Sequence, residues 1–255
     1  MRWRLLIGGM VFAAALPAAQ AAQPAPEVVA VQPSGAAVPA NLLRLSVVFA
    51  APIEGEVLPR IALSRADGRL LQEPFLQQEL WSPDGKVLTL LFHPGRVKTG
   101  LIAREQQGPI LSEGEDVVLS FDGRPIKRWH IGPVDGNGPV ASAWKLSSVR
   151  PGTREPFVVS LDGPIDGRDA GYLAVVDAGD HLVEGERQLR DGETTWTFTP
   201  DSAWKAGDYR LMVHGMLEDP SGNRLDGHFE TSIDAPQPPA ADIAIAFKVS
   251  QRGSL

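Results

Sequence analysis

The sequence predicts an all-β chain made of two antiparallel β-sandwiches in tandem. Short segments alternate between apolar and polar residues, which is the pattern of half-buried antiparallel strands. Turn sequences rich in Gly, Pro, Asp and Asn separate these segments at intervals of about 8–15 residues, as in a sandwich. The 26 glycines and 22 prolines among 255 residues leave little room for long helices.

Residues 1–21 are predicted to be a cleaved secretory signal peptide. Two arginines precede an apolar run over residues 5–16, which is too short to span a bilayer. Residues 19–21 are Ala-Gln-Ala, the small-x-small pattern before a cleavage site. The alternative is an uncleaved N-terminal anchor. We therefore expect a periplasmic or secreted protein, with no transmembrane segment after cleavage.

Composition narrows the classes of function. The formal net charge of −7 makes the chain a poor partner for nucleic acid. The absence of cysteine excludes disulfides, thiol nucleophiles and zinc–thiolate sites. Stability must then come from hydrophobic cores, and the length suits two domains that each bury one.

The first sandwich is predicted over residues 27–132, after a polar leader at 22–26. The side chains of Leu43, Leu45, Val47 and Phe49 fall on one face of a strand. Residues 100–114 interrupt the alternating pattern, and we expect this excursion to be an exposed, protease-sensitive loop. The predicted strands lie at 28–31, 43–49, 60–64, 87–92, 116–121 and 126–131, and residues 75–81 lead into a turn at 82–85.

The second sandwich is predicted over residues 140–249, after a Gly- and Pro-rich linker at 133–139. Residues 161–167 repeat the Pro-Ile-acid-Gly pattern of residues 49–55, 112 positions later. Tyr209, Leu211, Val213 and Leu217 are predicted to fall on the core face of one strand. Residues 243–249 are predicted to form a closing strand at a sheet edge. The alternative is a tail that carries an aggregation-prone apolar segment. Residues 250–255 are expected to be a disordered tail.

Two passages resemble a known family. Residues 40–53 resemble the second-strand motif of the bacterial Ig-like domains first seen in S-layer proteins. Residues 207–223 resemble the last-strand motif, which ends in an acidic-x-x-Gly-Asn turn. The resemblance implies an Ig-like sandwich in each half and brings no catalytic residues, because such domains serve as spacers, wall-attachment modules or accessory binding modules. The first half lacks the acidic-x-x-Gly-Asn ending and contains the extra excursion.

One candidate metal site lies at Met212, His214 and Met216. Strand alternation would place all three side chains on one face, opposite the core. Thioether and imidazole ligands suit copper. The alternative is that Met212 and Met216 pack under the neighbouring module or a loop.

A second candidate site follows in the turn. Asp219, Ser221, Asn223 and Asp226 offer alternating oxygen ligands, as in a calcium loop. However, Arg224 stands where an EF-hand needs Gly, and no Glu closes a 12-residue loop. The alternative is a turn in which Asp and Asn side chains bond to the backbone.

The tryptophans also admit two interpretations, a sugar-binding platform or anchors of the sandwich cores. They occur about one per strand or strand end, which favours the core. The residues concerned are Trp81, Trp129, Trp144, Trp196 and Trp204.

The sequence contains no Gly-x-Ser-x-Gly elbow, His-Glu-x-x-His helix or phosphate-binding Gly-Lys-Ser/Thr loop. It therefore favours an exported, non-enzymatic binding or scaffolding protein of the cell envelope, without a cofactor. Its partner would be an unidentified envelope protein or cell-surface component. The alternative function is periplasmic copper handling by the Met-x-His-x-Met segment.

Overall fold

A computed structural model of the protein describes residues 26–97, 101–225 and 241–250. The predicted signal peptide at 1–21, residues 22–25 of the leader and residues 251–255 of the tail lie outside the described residues. None of the described helices has the length and apolar character needed to cross a membrane.

The first half of the chain contains two short helices among its strands, and a 3₁₀ turn at Leu58–Arg60. Its helices and strands are β1 Val28–Gln32, β2 Ala37–Pro39, β3 Arg44–Phe49, β4 Ile61–Arg65, β5 Leu80–Trp81, β6 Val87–Leu91, α1 Pro94–Val97, α2 Ile102–Gln107, β7 Asp116–Phe121 and β8 Arg124–Gly132.

These strands form two sheets, in the orders β1-β3-β6-β5 and β2-β8-β7-β4. All pairings are antiparallel except that of β2 with β8, which is parallel. The odd-numbered residues Leu45, Val47 and Phe49 of β3 are buried in the core, because alternate residues of a strand face the same side. Buried side chains from the second sheet join the same core: Leu63, Val117, Leu119, Phe121, Trp129 and Ile131.

The second half has 3₁₀ turns at Ala141–Ala143 and Asp169–Tyr172. Its strands are β9 Lys145–Leu146, β10 Phe157–Ser160, β11 Leu173–Asp177, β12 Gly185–Arg190, β13 Thr195–Pro200, β14 Gly207–Val213 and β15 Ile243–Val249. They form two antiparallel sheets, in the orders β12-β13-β10-β9 and β11-β14-β15. A second hydrophobic core lies between them, with members that include Tyr209, Leu211, Val213 and Leu217, as predicted. The predicted fold class, antiparallel Ig-like β-sandwiches, is confirmed.

The strand order is the same in the two halves. The order β1-β3-β6-β5 corresponds to β9-β10-β13-β12, and β8-β7-β4 corresponds to β15-β14-β11. The isolated bridges Ser64–Leu70 and Val176–Leu182 are also 112 positions apart. The two halves differ at one sheet edge: β2 covers the outer edge of β8, and no strand among the described residues covers the corresponding edge of β15.

The excursion at 100–114 is only partly exposed. Its helix α2 begins with Ile102, whose side chain is 70% exposed, but Ile110 and Leu111 are buried in the first core. The expectation of an exposed loop is therefore wrong for Ile110 and Leu111, whose apolar side chains complete the core. Residues 98–100 lie outside the described residues.

The tryptophans lie in the cores, as predicted. Trp129, Trp144, Trp196 and Trp204 are buried, and Trp81 is half-buried against the first core. The closing strand predicted at 243–249 is also confirmed, since β15 pairs with β14 along its whole length.

Candidate functional site

The two halves of the chain meet at a polar junction, and Asn41 lies at its centre. Asn41 precedes β3 and is 1% exposed. Its Nδ2 donates to the carbonyl of Asp135 at 2.8 Å, and its Oδ1 accepts from the Asp135 amide at 2.9 Å. The same Oδ1 accepts from the Ser221 hydroxyl at 3.1 Å. One amide side chain thus joins the first half, the predicted linker and the last turn of the second half.

The turn after β14 rests against the first half. Asp219 accepts from the Asn223 amide at 2.9 Å and from its side-chain Nδ2 at 2.8 Å, which closes the turn. Asn223 Nδ2 also donates to the Asp135 carbonyl at 3.1 Å. The Leu43 amide donates to the Pro220 carbonyl at 2.9 Å. The turn that the sequence predicts is therefore part of the junction.

Candidate calcium ligands lie in this turn. Asp219, Ser221 and Asn223 are all buried, and their side chains bond to one another or to the first half. Asp226 lies outside the described residues. Within residues 26–97, 101–225 and 241–250, no group of three or more His, Asp or Glu side chains is placed to hold a metal ion. The structure shows the turn-holding alternative, and calcium binding stays a prediction.

Arg44 carries the charged part of the junction. It lies on the outer face of β3 with 11% of its side chain exposed, and it donates to Asp166 and Glu218 of the second half. Asp166 also accepts from Arg168 Nε at 3.1 Å, and Glu218 from Arg224 Nε at 2.9 Å. Three arginines and two carboxylates thus alternate along the junction. Charge-assisted hydrogen bonds of this kind are among the stronger ones in proteins.

The junction also shifts the pKa values of its carboxyl groups. Burial raises the pKa of Asp169 to about 7, against the hydrogen bond from the Glu218 amide. Burial likewise raises the pKa of Asp219 to about 6, against the hydrogen bonds from Asn223. Burial also disfavours the ionised form of Asp166. The positive charges of Arg44 and Arg168 outweigh this effect and hold the pKa of Asp166 below its usual value. The pKa values of neighbouring carboxyl groups are therefore shifted in opposite directions, upward for Asp169 and Asp219 and downward for Asp166.

A third contact brings two backbone turns together. The Ser34 amide donates to Glu193 Oε2 at 2.8 Å, and Glu193 is 3% exposed. Gly192 has φ +69°, and a Cβ there would lie 3.1 Å from the Cα of Gly35. Glycine suits this position on both counts, because it adopts positive φ readily and allows close approach.

A hollow of about 430 Å³ opens beside this junction, on the outer face of the first sheet. Leu80 and Thr89 are cross-strand partners and line the same face. Gly167 and Arg168 form the wall from the second half. The remaining lining residues are Gln32, Val48, Trp81, Ser82 and Val87. The hollow thus combines aliphatic and aromatic surface with hydroxyl, amide and guanidinium groups.

The candidate copper ligands, Met212, His214 and Met216, do not lie on one strand. β14 ends at Val213, so only Met212 lies on it, and His214 and Met216 fall in the following turn. The Met216 amide donates to His214 Nδ1 at 3.1 Å, and the His214 ring stacks on Tyr172 at 5.1 Å between centroids. The alternation that would align the three side chains stops before the second of them. Copper binding stays the alternative hypothesis, which this arrangement does not test.

Sequence reasoning missed the main junction residues, Asn41, Arg44 and Glu193. Asn41 lies in a segment whose residue types are those of an ordinary turn, and Arg44 occupies a polar position in an alternating strand. No local pattern distinguishes a surface arginine from one that a distant segment covers. The repeated Pro-Ile-acid-Gly passage is visible in the sequence, and its acid, Asp166, is a partner of Arg44 in the structure.

No protein-family model and no curated protein matches this chain. Among solved structures, it is similar to domains 5–6 of the S-layer protein SbsC, at 12% identity over 90% of this chain and 100% of that one, with a TM-score of 0.26.

Two further solved structures show similar levels of likeness. The titin domains Z1Z2 in complex with telethonin are 9% identical over 82% of this chain and 88% of that one, with a TM-score of 0.24. SGBP-B, from a complex xyloglucan utilization locus in Bacteroides uniformis, is 16% identical over 74% of this chain and 46% of that one, with a TM-score of 0.27. TM-scores this low say nothing about function, and the fold class rests on the sheets themselves.

Proposed function

We propose that the protein is an exported, non-enzymatic binding or scaffolding protein of the cell envelope, and that the hollow beside the junction is its binding surface. Export rests on the predicted signal peptide at 1–21. The binding role rests on one observation, that the hollow takes its walls from both halves of the chain.

Two properties of the hollow support a binding role. Its volume of about 430 Å³ lies within the range of about 300–1,000 Å³ that is usual for ligand sites. The Arg44–Asp166 ion pair holds the segment that contains Gly167 and Arg168 against the first sheet. A wall held in this way is preorganised, so that binding does not have to order it.

The experiment measures binding of the mature protein to three immobilised envelope fractions: peptidoglycan sacculi, surface polysaccharide and membrane protein. Leu80→Arg places a long cation in the hollow and should abolish binding to the fraction that contains the partner. Leu182→Arg is the matched control, because Leu182 is 49% exposed in the second half and does not line the hollow.

Loss of binding in Leu80→Arg with retention in Leu182→Arg would support the proposal. Binding that is equal in the two variants would place the partner surface elsewhere. Turnover of a substrate in a hydrolase panel by the parent protein would contradict a non-enzymatic role.

A further inference from the structure

Among the residues that the structure describes, β15 has a partner strand on one edge only. β14 pairs with all seven of its residues, from Gly207–Val249 to Val213–Ile243. Among the described residues, no strand pairs with its other edge. In the first half, β2 covers the corresponding edge of β8. An open edge of this length presents a row of peptide N–H and C=O groups that can pair with another strand.

The side chains of β15 suit a neighbouring strand on both faces. Ile243, Ile245 and Phe247 point to the core side and remain only partly buried, because no described strand lies beyond β15. Ala244 and Ala246 are exposed on the opposite face and are small enough to allow close pairing. The strand contains no proline, which would block an added ladder. A further strand would complete the burial that this sheet lacks.

The charges at the two ends of β15 indicate which strand fits. Asp242 precedes the strand, Lys248 lies near its end, and Ile245 is midway between them. Both charged side chains are more than half exposed, at 56% and 70%. In an antiparallel pair of identical strands centred on Ile245, each Asp242 therefore lies opposite a Lys248 of the other copy. Opposite charges in direct cross-strand positions stabilise a pair, and like charges destabilise it.

We propose that β15 pairs antiparallel with β15 of a second copy of this chain, about a two-fold axis through Ile245. The two three-stranded sheets then become one continuous sheet, in which Ala244 faces Ala246 and Ile243 faces Phe247. A shift of the register by two residues leaves Asp242 opposite Ala246 and removes both charge pairs. The charge pattern thus specifies both the partner and the register.

Both charged groups already have a neighbour within the chain. Asp242 Oδ1 accepts from the Gly215 amide at 3.0 Å and lies 4.0 Å from His214 Nε2. Lys248 Nζ lies 3.6 Å from Asp208 Oδ1 in an exposed pair. Exposed pairs of this kind contribute little, so they do not prevent Lys248 from facing a second copy.

The contact is small. Seven strand residues bury less surface than the roughly 1,600 Å² of a standard stable interface, so we expect a dissociation constant of about 10–100 μM.

The pairing does not depend on the hollow or on the proposed function. It can fail while envelope binding persists, and the reverse also holds.

The first test is sedimentation equilibrium of the mature protein from about 1 μM to 1 mM, the range that brackets the expected constant. Lys248→Asp and Asp242→Lys should each weaken the dimer about tenfold, because each creates two like-charge pairs. The double variant Asp242→Lys/Lys248→Asp should restore association to within about threefold of the parent, since it recreates both pairs. Lys145→Asp makes the same charge change on β9, an edge strand of the other sheet, and should have no effect.

The second test fixes the register. The chain contains no cysteine, so introduced thiols report only the proposed contact. A mixture of Ala244→Cys and Ala246→Cys chains should form disulfide heterodimers faster than either variant forms homodimers, because 244 faces 246 across the axis. Thermal unfolding by circular dichroism checks that every variant is folded.

A protein that stays monomeric throughout the concentration range would overturn the proposal. So would a dimer whose dissociation constant is the same in the parent and both single charge variants. Equal rates of cross-linking in the mixture and in the separate cysteine variants would refute the register centred on Ile245.

Discussion

Replacing Arg44 with alanine removes the central cation of the junction. Arg44 is 11% exposed and its partner Asp166 only 6%, so its loss leaves poorly solvated carboxylates. Truncating one partner of a buried ion pair costs about 3–5 kcal/mol of unfolding free energy. Asp166 keeps Arg168 and Glu218 keeps Arg224, which compensates part of the loss. We therefore expect Arg44→Ala to cost about 3 kcal/mol, at the low end of that range.

The assay is urea unfolding at pH 7, followed by tryptophan fluorescence and circular dichroism. Arg69→Ala is the matched control, because the side chains of its Arg69–Asp67 pair are 73% and 50% exposed. That pair should contribute less than about 1 kcal/mol. Since each half has its own core, Arg44→Ala should also separate the unfolding of the halves into two transitions. A cost for Arg44→Ala no larger than that of Arg69→Ala would refute the reasoning.

Three further predictions concern the junction and the metal hypothesis. The raised pKa of Asp169, about 7, means that the folded state holds a proton that the unfolded state has lost, so stability falls as pH rises from about 4 to 7. Asp169→Asn should flatten that dependence and gain on the order of 2 kcal/mol at pH 8 in urea unfolding, and an unchanged pH profile would contradict this. Gly138→Ala should destabilise by about 1–3 kcal/mol, because its Cβ would lie 2.0 Å from a backbone carbonyl oxygen, whereas Gly136→Ala meets nothing within 4 Å and should be neutral in the same assay. In Cu(I) competition against a chelator, His214→Ala and Met212→Leu should bind as weakly as the parent, and a marked loss of affinity in either variant would instead support copper binding.

Strand positions were predictable where the alternation of side chains was enough to define them. Tyr209, Leu211 and Val213 were assigned to one core face from their spacing, and all three are buried on β14. The closing strand β15 was predicted from its apolar pattern alone. The burial of the tryptophans also follows from their occurrence about once per strand. These features depend on neighbours within a few residues, which the sequence displays directly.

The limits of strands were less predictable. The alternating pattern continues to Leu217, but β14 ends at Val213, where the Leu217 amide donates to the His214 carbonyl and closes a turn. In the segment 75–81, which the sequence shows only as the approach to a turn, Leu80–Trp81 form the strand β5 and Phe75 forms an isolated bridge to Phe92. A polar–apolar alternation continues through a turn as readily as along a strand, so it does not mark where pairing stops.

The sequence by itself determined the all-β class, the faces of the strands and the aromatic cores. Only the tertiary structure decided how the halves join, which carboxyl groups have raised pKa values and where a hollow opens. The reason is the separation of the partners along the chain. Asn41 meets Asp135 and Ser221 from 94 and 180 residues away, and Arg44 meets Glu218 from 174 residues away. Local periodicity predicts on which face of a strand a side chain lies. Whether an arginine there is buried, so that its ion pairs are poorly screened by water, depends on the distant segment that covers it.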